Sequence, residues 1–337
     1  MVKARNFLAA GVGLAFAMTA PRLFAEEAVL KHSVQVDLEH SPQFGPACWV
    51  NGFLPKYARP YNGEQPYAWL LDRNGKEVIP KTLLAIPEAS TVFPQAATAD
   101  AKGNLYVSVD AWTSGLGTAA ICKVTRGGGS MRVIRTGDFL GMALAATPSG
   151  ELWVFGLPQT YQTIRHTNEE YSTLERFDAS GKLMEELLPR SGFGADVIPT
   201  LRIGGGDEPY LLASDNRLGL YSATADRWVE FDLNSGRIVT DLVVARPADN
   251  KGGHQNLAGM VMTGSNEVYA KFRSSRAAPT EWDLYKLDRG AKRWIPIDRG
   301  PIPPLYRALR GAEGDDLIIL GPQGNFAWIP SGALKPK

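Results

Sequence analysis

The sequence predicts an all-β chain: a six-bladed β-propeller of four-stranded antiparallel blades, its last blade closed by the N-terminal strand. Three observations lead there. A glycine-bearing hairpin recurs at near-constant spacing, a short apolar strand recurs beside it, and an alternating strand stands unattached near the mature N-terminus. Such a small sheet has two faces it cannot bury alone, and a ring of neighbours covers them.

The hairpins read LLDRNGKEV at Gly75, KVTRGGGSMRV at Gly128, FDASGKLMEEL at Gly181, FDLNSGRIVTDL at Gly236 and KLDRGAKRWIPI at Gly290, at intervals of 53, 53, 55 and 54 residues. Glycine suits them because tight hairpins need a residue at positive φ. The apolar strands centre on Trp49, Leu105, Leu152, Tyr210, Val268 and Leu317 and read as the innermost strands of the blades. Their most legible member is ATADAKGNLYVSVDAW, Ala97 to Trp112, where a polar turn at Gly103 and Asn104 launches the strand. Six such strands against five hairpins leave the last blade one outer strand short. HSVQVDL, with Val34, Val36 and Leu38 alternating, supplies that strand. Its expected partner is NFAWIP, Asn325 to Pro330, since an unclosed blade would expose an unpaired edge. A seventh blade would have to fit in Ser41 to Pro66, whose prolines and NG turns read instead as a long loop. Glu169 to Arg176 is the best local helix candidate.

At the N-terminus, Lys3 and Arg5 precede an uncharged run from Phe7 to Ala20, and Leu23, Phe24 and Ala25 precede Glu26. This reads as a secretory signal over residues 1–25, and its apolar run is shorter than the ~20 residues that span a bilayer. The expected mature chain, 26–337, is one propeller domain, secreted or periplasmic, with no membrane insertion after cleavage. Without Lys3, Arg5 and Arg22 it carries 33 basic against 35 acidic residues, a balance that favours neither nucleic acid nor an anionic membrane as partner. Cys48 in ACWV and Cys122 in ICKV sit in apolar runs and read as buried thiols rather than a disulfide.

In a four-stranded blade the loop between second and third strands shares a face with the connection to the next blade. The long segments expected there are Asn51 to Gln65, Asp110 to Thr118, Gly156 to Tyr171, Ser214 to Asp226 and Phe272 to Glu281. A site belongs at that mouth of the channel. In NGFLPKYARPYNGEQ, Lys56 and Arg59 interleave with Tyr57 and Tyr61, a set suited to stacking and charge-assisted bonds with a peptide, protein or glycan. The structural alternative is a loop packing its own tyrosines. His166 stands near Glu169 and Glu170, where it reads as an acid–base candidate or as part of an ordinary surface ion pair. His254, in the glycine-rich DNKGGHQNLAG, is the second catalytic candidate, and Glu88 and Asp110 are the metal candidates. No cofactor is predicted; a divalent metal such as calcium is the one these groups would suit. GxSxG, HExxH and EF-hand spacings are absent from the sequence, and GGGD at Gly204 precedes a strand, unlike a phosphate loop.

The stretch FPQAATADAKGNLYVSVD resembles the NHL-repeat class of six-bladed propellers through Pro94, Ala96, Asp100, Gly103, Asn104, Tyr106, Val107 and Asp110, and ATPSGELWVFG from Ala146 resembles it more loosely. The plan is similar, more distantly, to gluconolactonase and regucalcin-type enzymes, which hold a central divalent metal with a Glu, two Asn and an Asp. That resemblance implies a metal ligand near Glu88, while the asparagines and the later aspartate have no counterparts in matching contexts. The expected function is therefore an exported binding propeller that presents its long-loop face to a peptide, protein or glycan. The alternative is a metal-dependent hydrolase or lactonase at the channel mouth.

Overall fold

Polar turns that satisfy their own backbone start the second strands. Asp100 Oδ1 accepts the backbone N–H groups of Lys102 and Asn104 at 2.9 Å each, and Oδ2 accepts Asn104 Nδ2 at 2.7 Å and the Tyr106 hydroxyl at 3.0 Å. Gly103, at φ 79°, reverses the chain inside that cage. Thr147 and Thr263 repeat the device, each accepting the N–H four residues on at 3.1 Å. In the outer hairpins Asp72 and Asp178 do the same for Lys76 and Lys182. At Gly290 the positive φ expected of the glycine falls on Lys292, at 51°.

The computed structural model describes residues 30–36, 48–58, 65–113, 116–159, 170–193, 210–223, 225–249, 254–274, 282–300, 302–306 and 308–337. The expected signal segment 1–25, Arg59, Tyr61 and His166 lie outside the described residues. The N-terminal strand is β1 (His32–Gln35). Blade one holds β2 (Phe53–Ala58), β3 (Tyr67–Asp72) and β4 (Glu77–Leu83), with Trp49 and Val50 in the inner position by isolated bridges to Gly311 and Phe53. Blade two is β5 (Thr91–Ala99), β6 (Leu105–Thr113), β7 (Leu116–Val124) and β8 (Met131–Arg135). Blade three is β9 (Phe139–Ala146), β10 (Leu152–Pro158), β11 (Ser172–Phe177) and β12 (Leu183–Pro189). Blade four is β13 (Tyr210–Ala213), β14 (Arg217–Ser222), β15 (Arg227–Asp232) and β16 (Ile238–Val243). Blade five is β17 (Asn256–Met262), β18 (Val268–Arg273), β19 (Asp283–Asp288) and β20 (Arg293–Asp298). Blade six is β21 (Ala308–Glu313), β22 (Asp316–Leu320) and β23 (Asn325–Pro330), and the C-terminal β24 (Lys335–Pro336) returns to the outer edge of β20.

The six-bladed ring is as expected, and so is its closure. β1 runs antiparallel to β23 with His32 opposite Trp328 and Gln35 opposite Asn325, completing a four-stranded last blade. All five glycine hairpins join the third strand of a blade to its outermost strand. The first strands adjoin in sequence, β5 on β9, β9 on β13, β13 on β17 and β17 on β21, which places them at the centre.

Other expectations need correction. Leu105, Leu152, Val268 and Leu317 belong to second strands, whereas Tyr210 begins a first strand and Trp49 sits in an inner bridge. The true inner strands, such as TVFPQAATA and FLGMALAA, are rich in small residues and lack a launching turn, so they carry little pattern. Asn51 to Gln65 is not one loop, because Phe53–Ala58 is β2; as the edge of a three-stranded ladder, that strand tolerates Pro55. Asp110 to Thr118 is mostly β6 and β7, and Ser214 to Asp226 contains β14. The helix candidate at Glu169 becomes β11 from Ser172, since Leu174 is needed in the core with Phe155, Leu220 and Val229. Neither cysteine is in a disulfide, and Cys122 is fully buried.

Four inner strands bulge at one level, where Gln95, Met142, Ala258 and Arg310 are each skipped in the ladder to the second strand. A bulge frees backbone groups, and neighbouring blades capture them. The Tyr57 hydroxyl donates to Gln95 O at 2.8 Å, Ser108 Oγ to Gly141 O at 2.7 Å, and Trp49 N to Arg310 O at 2.6 Å. The last of these closes the ring. Trp49 sits there among Val36, Leu54, Trp69, Ile318, Phe326 and Trp328, with edge-on contacts to Phe326 and Trp328 at 5.5 and 5.2 Å.

Two tests address this seam. Gly311 has φ 150°, and a Cβ on it would stand 2.5 Å from the Trp49 carbonyl oxygen. Gly311→Ala should therefore cost about 3 kcal/mol in urea unfolding, by strain and overpacking together. Deleting residues 31–36 should strip β1 from β23 and lower the melting temperature of the whole cooperative transition; a deletion that melts like the parent would refute strand closure.

Candidate functional site

The ends of β18 and β20 and the start of β21 all lie on the long-loop face, where blade five meets blade six. β18 is VYAKFR, and its alternation brings Lys271 to a buried position, 5% exposed, opposite Gly259 and Leu284. Trp282, just before β19, is buried beside it; Lys271 Nζ lies 5.4 Å from its ring centroid, and the Arg299 guanidinium stacks 3.8 Å from it. Arg299 Nη1 donates to the Trp282 carbonyl at 2.7 Å, and Trp282 Nε1 donates to the Tyr306 carbonyl at 3.3 Å, so indole and guanidinium are held in fixed orientation. Arg310, the bulge residue of β21, and Arg273, the last residue of β18, complete a group of four cations. Burial first, and then Arg310, Arg273 and Arg299, push the Lys271 ammonium down to about 8. Burial likewise lowers Arg299, opposed by Asp283. The Nε atoms of Arg299 and Arg310 are buried without a hydrogen-bond partner. Four cations thus gather around one indole face at the junction of blades five and six.

On the same face, where blade two meets blade three, the charge is reversed. Asp110, near the end of β6, accepts a short hydrogen bond from Gln159 Nε2, and the Gln159 N–H donates to the Asp138 carbonyl at 2.5 Å. Burial raises the Asp110 carboxyl against the lowering effect of its bonds from Trp112 and Gln159. Glu175 of β11, 6% exposed, pairs across the ladder with Glu186. Burial, with Glu186 and Asp138 adding to it, pushes its carboxyl up to about 8.

The sequence-predicted residues are dispersed. Lys56 lies in β2, with Nζ 4.8 Å from the Trp69 centroid, and Tyr57 is buried, its hydroxyl on the Gln95 carbonyl of the next blade. Glu88 is exposed in the connection before β5, 3.7 Å from Arg135, and its carbonyl accepts the Thr113 hydroxyl. His254 is exposed and bonds the Arg246 carbonyl at 3.3 Å. Among the described residues no three His, Cys, Asp or Glu side chains form a group able to hold a metal ion, so Glu88, Asp110 and His254 are not gathered into one donor set. Of the named candidates, Asp110 alone takes part in one of the two charged groups. The residues missed by sequence reasoning are Lys271, Arg273, Arg299, Arg310 and Glu175. One signal was available, since a lysine inside the apolar run of VYAKFR needs an explanation.

Among the described residues no helix is long and apolar enough to cross a membrane. No protein-family model matches the sequence, and no curated protein sequence matches it, so the NHL-repeat pattern stays a resemblance. Similar solved structures share little sequence. A protein of unknown function from Bacteroides caccae is 14% identical with a TM-score of 0.42, over 77% of this chain and 84% of that one. A puromycin hydrolase is 16% identical with a TM-score of 0.43, and the match spans 85% of this chain but 42% of that one. A calcium-binding protein, regucalcin, from Agrobacterium tumefaciens is 12% identical with a TM-score of 0.45, over 88% of this chain and 95% of that one.

Proposed function

We propose that the protein is an exported binding propeller that receives an extended peptide or protein segment across the long-loop mouth of its channel. One observation supports this reading: charged groups of opposite sign stand at two blade junctions toward the long-loop face. Blades follow one another around a six-membered ring, so the interface of blades two and three lies half a turn from that of blades five and six. Asp110, Asp138 and Glu186 lie at or beside the first, with Glu175 among them protonated below about pH 8, and Lys271, Arg273, Arg299 and Arg310 lie at the second. A peptide carries both signs along its length, and complementary patches set its register and orientation. An acidic glycan would answer the basic side alone. The two described histidines, His32 and His254, each hydrogen-bond a backbone carbonyl.

Labelled synthetic peptides with acidic residues at one end and basic residues at the other should bind about tenfold tighter, by fluorescence anisotropy, than peptides of the same composition with alternating charges. Equal binding of the two series, or tighter binding of an acidic oligosaccharide, would sink the reading. The acidic side makes a separate prediction in pH. The folded protein holds the Glu175 proton up to about 8, whereas the unfolded chain releases it near the ordinary glutamate value of 4.5. The buried carboxyl is thus tolerated in full as the neutral acid below that lower value, and ionising it costs stability as pH rises through the upper one. Glu175→Gln should exceed the parent in stability at pH 8 by about 2 kcal/mol, with the gap shrinking toward pH 5, as read from urea midpoints.

A further inference from the structure

We infer that Asn74, at the tip of the β3–β4 hairpin, is a site of spontaneous deamidation whose products loosen the strand that closes the ring. The chemistry is local and needs only water. The Gly75 backbone nitrogen attacks Cγ of the Asn74 side chain and closes a succinimide ring. The Cγ–Nδ2 bond breaks as the new C–N bond forms, and the side-chain nitrogen leaves as ammonia, taking up the Gly75 amide proton. Water then opens the ring at either carbonyl, giving aspartate or an isoaspartate whose main chain runs through Cβ and Cγ. Glycine in the attacking position has no side chain to hinder closure and leaves the backbone free to turn into it.

The described residues hold two Asn–Gly pairs, and they differ in how the amide is held. Asn51 and Gly52 form the two-residue turn between Val50 and Phe53, both at positive φ, 51° and 80°. Asn51 is half-buried, and its Nδ2 donates to the carbonyls of Ala99 at 2.7 Å and Ala146 at 3.0 Å, the last inner-strand residues of blades two and three. That amide is clamped. Asn74 is exposed, and among the described residues its side-chain amide has no hydrogen bond. Attack asks the Gly75 N–H to leave the Asp72 carbonyl, 2.8 Å away, a local opening that an exposed hairpin tip makes readily.

The surroundings of Asn74 give the reaction its consequence. Asp72 Oδ1 accepts the N–H groups of Asn74 and Lys76 at 2.9 and 3.0 Å, and an isoaspartate adds a methylene to the main chain inside that loop. Gly75 packs on β1, so closely that a Cβ on it would stand 3.2 Å from Val34 Cγ2 and 3.5 Å from the Gln35 carbonyl oxygen. The carbonyl of Arg73 meets His32 Nε2 at 3.2 Å, while its guanidinium lies 3.4 Å from Glu313 and 5.7 Å from the Trp328 ring centroid. Either product sets a carboxylate beside Arg73, as a rival to Glu313.

The test ages the full chain at pH 8.5 and 37 °C beside Asn74→Ser, reading chymotryptic peptides by mass spectrometry and backbone hydrogen exchange over residues 31–36. The Asn74 peptide should gain one mass unit roughly tenfold or more faster than the Asn51 peptide, whose amide must first break two hydrogen bonds. The aged parent should exchange its β1 amides several-fold faster than the fresh protein, while the hairpin at Gly236 keeps its rate. Aged Asn74→Ser should keep the fresh parent's β1 protection, which separates Asn74 from Asn62–Gly63, a pair outside the described residues. Conversion of Asn51 as fast as Asn74 overturns the site assignment. So does an Asn74 amide that lasts in the folded chain for as long as the urea-unfolded chain takes to lose it. Conversion without faster β1 exchange, or loosening that persists in aged Asn74→Ser, overturns the link to ring closure.

Discussion

One hydrogen bond, from the Trp49 amide to the Arg310 carbonyl, joins the first blade to the last across the channel wall. It exists because β21 bulges at Arg310 and because Gly311 has no side chain to hold Trp49 away. The bond is one of a set. Tyr57 and Ser108 reach bulge-level carbonyls of the next blade in the same manner, so the inner strands are stitched through the groups that the bulges release. Where an ordinary ladder would satisfy each blade internally, this arrangement ties blade six to one, one to two and two to three. The aromatic cluster around Trp49 supplies the apolar burial at the seam, and the bond sets its register.

The same bulge connects architecture to chemistry. Arg310 gives its carbonyl to the seam and its guanidinium to the cationic group facing Lys271. One residue thus serves both the seam and the cationic group. Opposite it, Gln159 ties Asp110 of blade two to the Asp138 connection that leads into blade three, so the acidic group also spans two blades. Both charged groups lie at interfaces and neither belongs to a single blade. This explains why a local motif search finds neither.

The ring, its six blades and its closure were legible in the sequence because they leave local signatures: glycine in hairpins, the Asp100-type turn and the alternation of HSVQ. The inner strands were not, because small residues such as those of FLGMALAA fit the crowded centre yet carry neither turn nor amphipathic rhythm. The segment at Asn51 was misread since Pro55 and the NG pair look like loop chemistry, while the edge position of β2 makes the proline harmless. Site residues were harder still. Lys271, Arg299 and Arg310 come from β18, the connection before blade six and β21, and apart from the lysine inside VYAKFR each alone resembles an ordinary surface cation; Tyr57 looked like a ligand-stacking group, and its hydroxyl bonds the Gln95 carbonyl.

The pairing of β1 with β23 has a consequence for timing. Five whole blades lie between His32 and Trp328, so β1 has no partner until the sixth is made. Contacts of such sequence separation form late and slowly. A nascent chain emerging from the ribosome can assemble individual blades but cannot shut the ring, and until it does the hydrophobic seam around Trp49 stays exposed.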